Sequence, residues 1–315
     1  MNPDLRALFD HLLGADPRVA DTPTVQQWAA AWPALCAAEA QPFARALRGG
    51  FAADRAGWAF AAGYQAALAA QLPQLAGPDG ALLSLSVTEA AGNRPRDLRT
   101  RAVAAPGGAW RLHGAKRWAT LAPVAAQLVV IAVDGGEAGR PALGAYVVPR
   151  GADGLSVQAM PPTPFAPEVP HAEIALDGVL AAQRLDGDAY ERLVKPFRTV
   201  EDLYVNAALV AWLLREARAR GWPPGFVEQA LALTCALAAL STLPAEAAAT
   251  HLALDGALQG AATLYDLALA HGQTAPASAA AHWSRDRALS GVAAAARRLR
   301  TQRARERLGL GIAAR

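Results

Sequence analysis

The chain has 315 residues and a formal net charge of +3, and 53% of its residues are hydrophobic and 18% charged. This composition is typical of a globular protein that can bury a large core, and it excludes a disordered chain. The small positive charge does not by itself indicate a nucleic-acid partner, because phosphate-bearing small molecules suit it equally well.

The sequence predicts no secretion signal, membrane span or disulfide. The residues after Met1 lack the basic and apolar regions of a signal peptide. The longest apolar run, Ala230 to Leu240, is too short to cross a bilayer and is typical of a buried helix. Cys36 and Cys235 are isolated from each other and no Cys-x-x-Cys occurs, so we expect a reducing, cytoplasmic setting.

Residues 1–80 are predicted to form a shortened N-terminal helical domain. Between Thr24 and Arg48, apolar side chains recur at mostly three- and four-residue spacings, and Pro33 and Pro42 are expected to interrupt the helix. A second periodic stretch precedes a strong turn signal at residues 77–80.

Residues 81–187 change to the period of short strands without helical spacers, which predicts an antiparallel β-barrel or sandwich. The predicted strands are Ala81–Thr88, Arg99–Ala105, Ala109–Gly114, Gln127–Val133, Ala142–Val148, Leu155–Ala159 and Ala172–Leu176. The Pro-rich segment 161–167 is expected to be either a crossover between strands or a cover over a pocket.

Residues 188–315 are helical again and predict a C-terminal four-helix bundle, with breaks at 222–225, 243–244 and 272–276. The last helix is rich in arginine. Because apolar Leu299 and Leu308 accompany the arginines, we interpret it as a solvated amphipathic helix rather than a nucleic-acid-binding one. No cluster of histidine or cysteine residues predicts a metal site.

Two segments of the β zone carry a distinctive motif. Thr88-Glu89 ends a predicted strand, and Gly114-x-Lys116-x-Trp118-x-Thr120 follows one hairpin later. Each residue alone is an ordinary strand residue. Together they resemble the β-domain of acyl-CoA dehydrogenases, and the order of helical, β and helical zones is the layout of that α+β fold.

The resemblance implies FAD as cofactor and an acyl-CoA or other acyl thioester as substrate. It also implies an electron-transfer flavoprotein as electron acceptor and a homodimer or homotetramer as the assembly. Residue by residue, it places Val87 and Thr88 at the flavin pyrimidine edge, Trp118 against the ring system and Thr120 near N5. An aromatic wall with a few fixed polar groups is what a flat aromatic cofactor needs.

The turn after Glu89 departs from the family pattern. Asn93 stands where relatives have a serine that helps to hold the pyrophosphate or the thioester, and Arg94 and Arg96 enter beside it. The two arginines could bind phosphates of the cofactor or substrate bidentately, or they could be solvated loop charges.

The resemblance also implies a carboxylate that removes the proton α to the thioester. In many relatives it follows the aspartate of an Arg-Asp pair by eight residues, but here that count from Asp286 reaches Ala294. Other relatives carry it on the first long helix after the β-domain, where Glu201 is our candidate. Its alternative role is that of a first-turn acid that complements the helix dipole.

Three functions remain open at this point. The first is an FAD-dependent acyl-CoA dehydrogenase with Glu201 as base. The second is a non-catalytic binding protein of the same fold without cofactor, which the missing acid at Ala294 favours. The third is a flavin-dependent oxygenase or oxidase, which would not need that base.

Overall fold

The computed structural model describes residues 4–310 except 78, 138–139 and 273–276. Four helices form its N-terminal part: α1 (Leu5–Gly14), α2 (Val25–Ala38), α3 (Pro42–Ala52) and α4 (Ala56–Gln71). Pro33 lies inside α2 and does not interrupt it, so that expectation is wrong. The burial of Trp28 and Trp32 on the same helix offsets the lost backbone hydrogen bond. Pro42 begins α3, where its missing N–H is not needed.

The middle zone is one sheet of eight strands. They are β1 (Leu83–Ser86), β2 (Arg101–Ala104), β3 (Trp110–Thr120), β4 (Gln127–Glu137), β5 (Arg140–Pro149), β6 (Leu155–Ala159), β7 (His171–Leu180) and β8 (Gln183–Leu185). Their order is β6-β7-β3-β2-β4-β5-β8, and β1 also pairs with β4. Because β1 and β2 pair with β4 in parallel, the sheet is mixed rather than antiparallel throughout. Strand β8, which pairs with β5 over three residues, is missing from the sequence prediction.

The sheet separates two hydrophobic cores, and β4 contributes to both because its side chains alternate. Leu128, Val130 and Ala132 point into the core enclosed by the strands. Val129 and Ile131 point into the larger core shared with the helices.

Helix α4 hydrogen-bonds directly to β1. The Gln65 amide accepts from the Leu83 N–H at 3.0 Å and donates to the Leu83 carbonyl at 2.7 Å. The Leu85 N–H donates to the Tyr64 hydroxyl at 3.0 Å. These side chains take the place of a neighbouring strand, so the helical part fixes the strand that leads to Thr88.

The C-terminal part contains α5 (Lys195–Arg220), α6 (Pro224–Leu240), α7 (Ala248–His271), α8 (Ala277–Asp286) and α9 (Ala294–Arg307). Gly221 ends α5 in a left-handed conformation. The first two expected breaks are confirmed, whereas most of the third, residues 273–276, lies outside the described residues. The short helix α8 was not predicted separately. In the described parts of the chain, no helix is long and apolar enough to cross a membrane.

Small residues bring the central helices into close contact. A Cβ built on Gly50 would lie 2.6 Å from the carbonyl carbon of Ala208. A Cβ built on Gly63 would lie 2.5 Å from the Cα of Val205. Both contacts involve backbone of α5, so α3 and α4 hold α5 in a fixed position through these two glycines.

Candidate functional site

The ends of β1 and β3 bring the predicted motif residues together. The Arg117 N–H donates to the Thr88 carbonyl at 2.8 Å, which places Thr88 next to Trp118. The side chain of Val87 packs against the helical core, and its carbonyl accepts from the Lys116 ammonium at 3.3 Å. Val87 therefore supports the site through packing and its backbone.

Lys116 and Glu89 form a buried ion pair with an N–O distance of 2.7 Å. The Glu89 carboxylate also accepts from the backbone N–H groups of Arg99, at 2.6 Å, and Thr100, at 3.0 Å. Burial opposes ionisation of Glu89, but the Lys116 charge and these hydrogen bonds outweigh it, so the pKa of Glu89 lies below its usual value. The pair ties the end of β1 to β3 and to the segment entering β2.

Gly114 lets the two strands around this pair approach closely. Its φ is +141°, and a Cβ there would lie 2.7 Å from the Cα of Thr100. The motif Gly-x-Lys therefore has a packing role that the resemblance did not assign. The glycine allows the neighbouring backbone to approach closely, and the Lys116 side chain points inward to Glu89.

Trp118 lies in an irregularity of β3, where the pairing with β7 shifts between Lys116 and Ala119. Its φ is +57°, a left-handed conformation that is rare for a bulky residue. Trp118 is 48% exposed. An aromatic side chain held at a strained position and turned toward solvent is typical of a ligand contact.

Thr120 lies close to His171, a residue that no sequence motif singles out. Thr120 Oγ1 and His171 Nδ1 are 3.2 Å apart. The imidazole also makes an edge contact with the Trp118 indole, with 5.8 Å between ring centroids. Burial lowers the pKa of His171, so its ring is neutral at neutral pH. Because 51 residues separate Thr120 and His171, only their pairing across β3 and β7 reveals this contact.

Asn93, Arg94 and Arg96 lie on the turn after Glu89, and all three are exposed. The Asp97 carboxylate accepts from the Arg94 N–H and shapes this turn. The side chain of Arg96 is 67% exposed and lies 3.9 Å from Asp97. This arrangement leaves both arginine side chains accessible to an anion without fixing them around one point.

Glu201 occupies the seventh position of α5, beyond the first turn, so the helix-dipole alternative is wrong for this residue. Burial and the neighbouring Asp202 raise the pKa of Glu201 to about 7, against opposing contributions from Arg297 and Arg198. A carboxyl group with this pKa can take up a proton near neutral pH.

Asp202 holds the last helix against α5. It forms ion pairs with Arg297 at 2.7 Å and Arg300 at 2.8 Å, and all three side chains are largely buried. Leu299 and Leu308, in contrast, are about half exposed. The two leucines therefore belong to the solvated part of α9, whereas Arg297 and Arg300 are largely buried against their shared carboxylate.

Asp286 is the aspartate of the Arg-Asp pair that lies eight residues before Ala294, and its contacts are structural. Its carboxylate accepts from the Ala166 N–H at 2.8 Å and pairs with Arg285. Arg285 also lies 3.4 Å from Glu168. These contacts attach the Pro-rich segment between β6 and β7 to α8, which supports the crossover interpretation. Within the described residues, no group of His, Cys, Asp and Glu could hold a metal ion.

Comparison with known proteins gives one family model and many similar structures. Residues 84–179 match the model for the acyl-CoA dehydrogenase middle domain. No curated protein matches the sequence. Butyryl-CoA dehydrogenase from Megasphaera elsdenii has a TM-score of 0.70 at 13% identity, covering 94% of this chain and 95% of that chain. The FAD complex of PigA has a TM-score of 0.70 at 16% identity, covering 97% and 96%. An FAD-dependent dehydrogenase has a TM-score of 0.73 at 16% identity, covering 98% and 99%. The expected fold is confirmed.

Proposed function

We propose that this chain, which has the acyl-CoA dehydrogenase fold and carries that family's middle domain, is an FAD-dependent oxidoreductase that dehydrogenates an acyl thioester. The observation that carries the proposal is Trp118. It is an exposed indole in a left-handed conformation, directly beside Thr88 and close to the Thr120–His171 pair. The ring contact with His171 leaves about half of Trp118 exposed, so its free surface is available to a ligand.

The residues at this place fit the ring system of a flavin. Trp118 offers an aromatic surface, and the hydroxyls of Thr88 and Thr120 are the proposed partners for the polar edge of the ring. The Lys116–Glu89 pair beneath them keeps the strand ends in place. When bound, the flavin supplies the acceptor for the hydride.

Glu201 is the proposed base. Partial burial and the neighbouring Asp202 raise its pKa to about 7, so at neutral pH a large fraction of the protein carries a carboxylate that can accept the α-proton of the substrate. The fixed contact between α4 and α5 at Gly63 holds the helix that carries it. The position at which many relatives carry the catalytic acid is Ala294 here, so that position offers no base.

The remaining roles follow from exposure and charge. Asn93, Arg94 and Arg96 are the proposed contacts for phosphates of the cofactor or for an acyl carrier, because all three are exposed and accessible to an anion. An electron-transfer flavoprotein is the proposed electron acceptor, and a homodimer or homotetramer is the proposed assembly. Acyl-CoA is the first thioester to test.

The test begins with FAD binding. We expect purified protein to show bound flavin in its visible spectrum and Trp118→Ala to weaken FAD binding by roughly 10-fold or more, because a stacked aromatic surface is lost. Leu180→Ala is the matched control, since Leu180 is 49% exposed on the same sheet. Protein that stays colourless with added FAD supports the cofactor-free binding protein instead.

The second step is anaerobic reduction of the bound flavin by a panel of acyl-CoA compounds. We expect bleaching in the wild type, and a rate lower by roughly 10²–10⁴-fold in Glu201→Gln. Glu228→Gln, an exposed acid on α6, is the control and should leave the rate unchanged. Bound flavin that no acyl thioester bleaches but that reacts with oxygen after chemical reduction favours the oxygenase or oxidase.

A further inference from the structure

We infer that His171 is a positioning residue of the flavin site, because its imidazole orients the Thr120 hydroxyl and contacts the Trp118 indole. The inference rests on the proposed function, since it concerns how these two residues are presented to FAD. Neither the sequence motif nor the resemblance assigns a role to His171.

The geometry places the three side chains in one group. Thr120 is the last residue of β3 and His171 the first of β7, and their Cα atoms are register partners. Their side chains therefore leave the same face of the sheet, with 3.2 Å between Thr120 Oγ1 and His171 Nδ1. The edge contact with Trp118 lies where the pairing of β3 with β7 shifts its register, so regular strand pairing does not fix the orientation of the indole.

The hydrogen-bond chemistry explains how the imidazole controls Thr120. A hydroxyl has one hydrogen to donate and two lone pairs, and a neutral imidazole has one donor and one acceptor nitrogen. If Nδ1 accepts, the hydroxyl hydrogen is committed to His171 and only lone pairs remain for a ligand. If Nδ1 donates, the hydroxyl hydrogen is free for the ligand. In both cases the imidazole of His171 determines whether the Thr120 hydroxyl acts toward the ligand as a hydrogen-bond donor or as an acceptor.

This control matters for a flavin because its ring changes at N5 between oxidation states. The oxidised ring offers an acceptor there, whereas the reduced ring carries an N–H. An oriented hydroxyl therefore favours one state over the other, and a freely rotating hydroxyl serves both. Through Thr120, His171 is expected to affect the reduction potential of the bound cofactor.

The test measures FAD affinity and reduction potential in wild-type protein, in His171→Phe, in Thr120→Val and in the double variant. We expect His171→Phe to change the ratio of affinities for reduced and oxidised FAD by roughly 3- to 10-fold, the range of one hydrogen bond. A 10-fold change corresponds to about 30 mV for a two-electron couple. In the Thr120→Val background the same change should have no further effect on the potential, because His171 acts through Thr120.

Two further variants separate positioning from structural support. His171→Asn keeps a hydrogen-bonding group near the position of Nδ1 and is expected to restore most of the wild-type potential, whereas His113→Phe on the exposed face of β3 should leave it unchanged. An unaltered potential in folded His171→Phe, or equal shifts in the presence and absence of the Thr120 hydroxyl, would overturn the inference. Wild-type protein that binds no FAD overturns the proposed function, and the inference with it.

Should His171→Phe not fold, the same comparison is made with His171→Asn and His171→Gln. Nδ1 lies one bond closer to the ring attachment than Nε2, so the shorter amide of Asn matches it and that of Gln does not. A potential closer to wild type in His171→Asn than in His171→Gln supports the inference, and equal potentials in the two variants contradict it.

Discussion

The substitution Lys116→Met removes one partner of the buried pair beneath the site. The chain has two lysines, and both pair with a glutamate: Lys116 with Glu89 at 2.7 Å and Lys195 with Glu191 at 2.6 Å. The Lys116 side chain is fully buried, whereas that of Lys195 is 49% exposed. The same substitution at the two positions therefore compares a buried ion pair with an exposed one.

The magnitude follows from what remains after the substitution. Met fills the volume of the lysine stem, but Glu89 keeps a buried charge that has lost its ion-pair partner and retains hydrogen bonds from Arg99 and Thr100. Breaking a buried pair in this way costs about 3–5 kcal/mol of unfolding free energy. Lys195→Met should cost roughly 0–1 kcal/mol, because solvent already screens its pair.

Urea denaturation followed by circular dichroism measures both values. The double variant Lys116→Met/Glu89→Gln should recover part of the loss, since it no longer buries an unpaired charge. In the wild type, the depressed pKa of Glu89 means that the stability from this pair is present above the unfolded pKa and is lost as pH falls through the folded one. A loss below about 1 kcal/mol in Lys116→Met would refute the role assigned to the pair.

Three further predictions concern the helices. Gly50→Ala should lower the unfolding free energy by several kcal/mol, because its Cβ meets the Ala208 backbone. Gly256→Ala is the control and should raise the unfolding free energy by about 0.5–1 kcal/mol, because a Cβ there has no atom within 4 Å. Thermal denaturation measures both variants, and equal effects would contradict the close contact at Gly50. Asp202→Asn should speed hydrogen exchange in α9, because two arginines lose their shared carboxylate; unchanged exchange there would exclude the anchoring role. The pKa of Glu201 in the folded protein, about 7, lies above its value in the unfolded chain, so stability falls as pH rises toward 7. Glu201→Gln should therefore be more stable than wild type at pH 8 while it loses turnover. A variant that is less stable than wild type at that pH would contradict the raised pKa.

The sequence predicted the three zones and most of the elements, because those follow from local periodicity. It did not predict the parallel pairing of β1 with β4, since the paired residues, such as Leu85 and Val129, are far apart in the chain. Pro33 was misjudged for a related reason: the packing of Trp28 and Trp32, which is tertiary, outweighs a local helix-breaking tendency.

The candidate site was predicted in part. One backbone hydrogen bond, from Arg117 to Thr88, joins the two segments that carry the motif, while the roles of Thr88 and Trp118 at a flavin stay a prediction. The motif could not reveal His171, which comes from another strand. Nor could it reveal that Arg297 pairs with Asp202, because the charge pattern of one helix carries no information about a partner 95 residues away.

The most direct test of the proposed function is equilibrium binding of FAD to wild-type protein and to Trp118→Ala, followed by the visible spectrum. We predict a wild-type complex with perturbed flavin bands, and affinity lower by at least about 10-fold in Trp118→Ala but not in Leu180→Ala. A wild-type protein that binds no FAD, or equal affinities in the two variants, would contradict the assignment of Trp118 as the flavin wall.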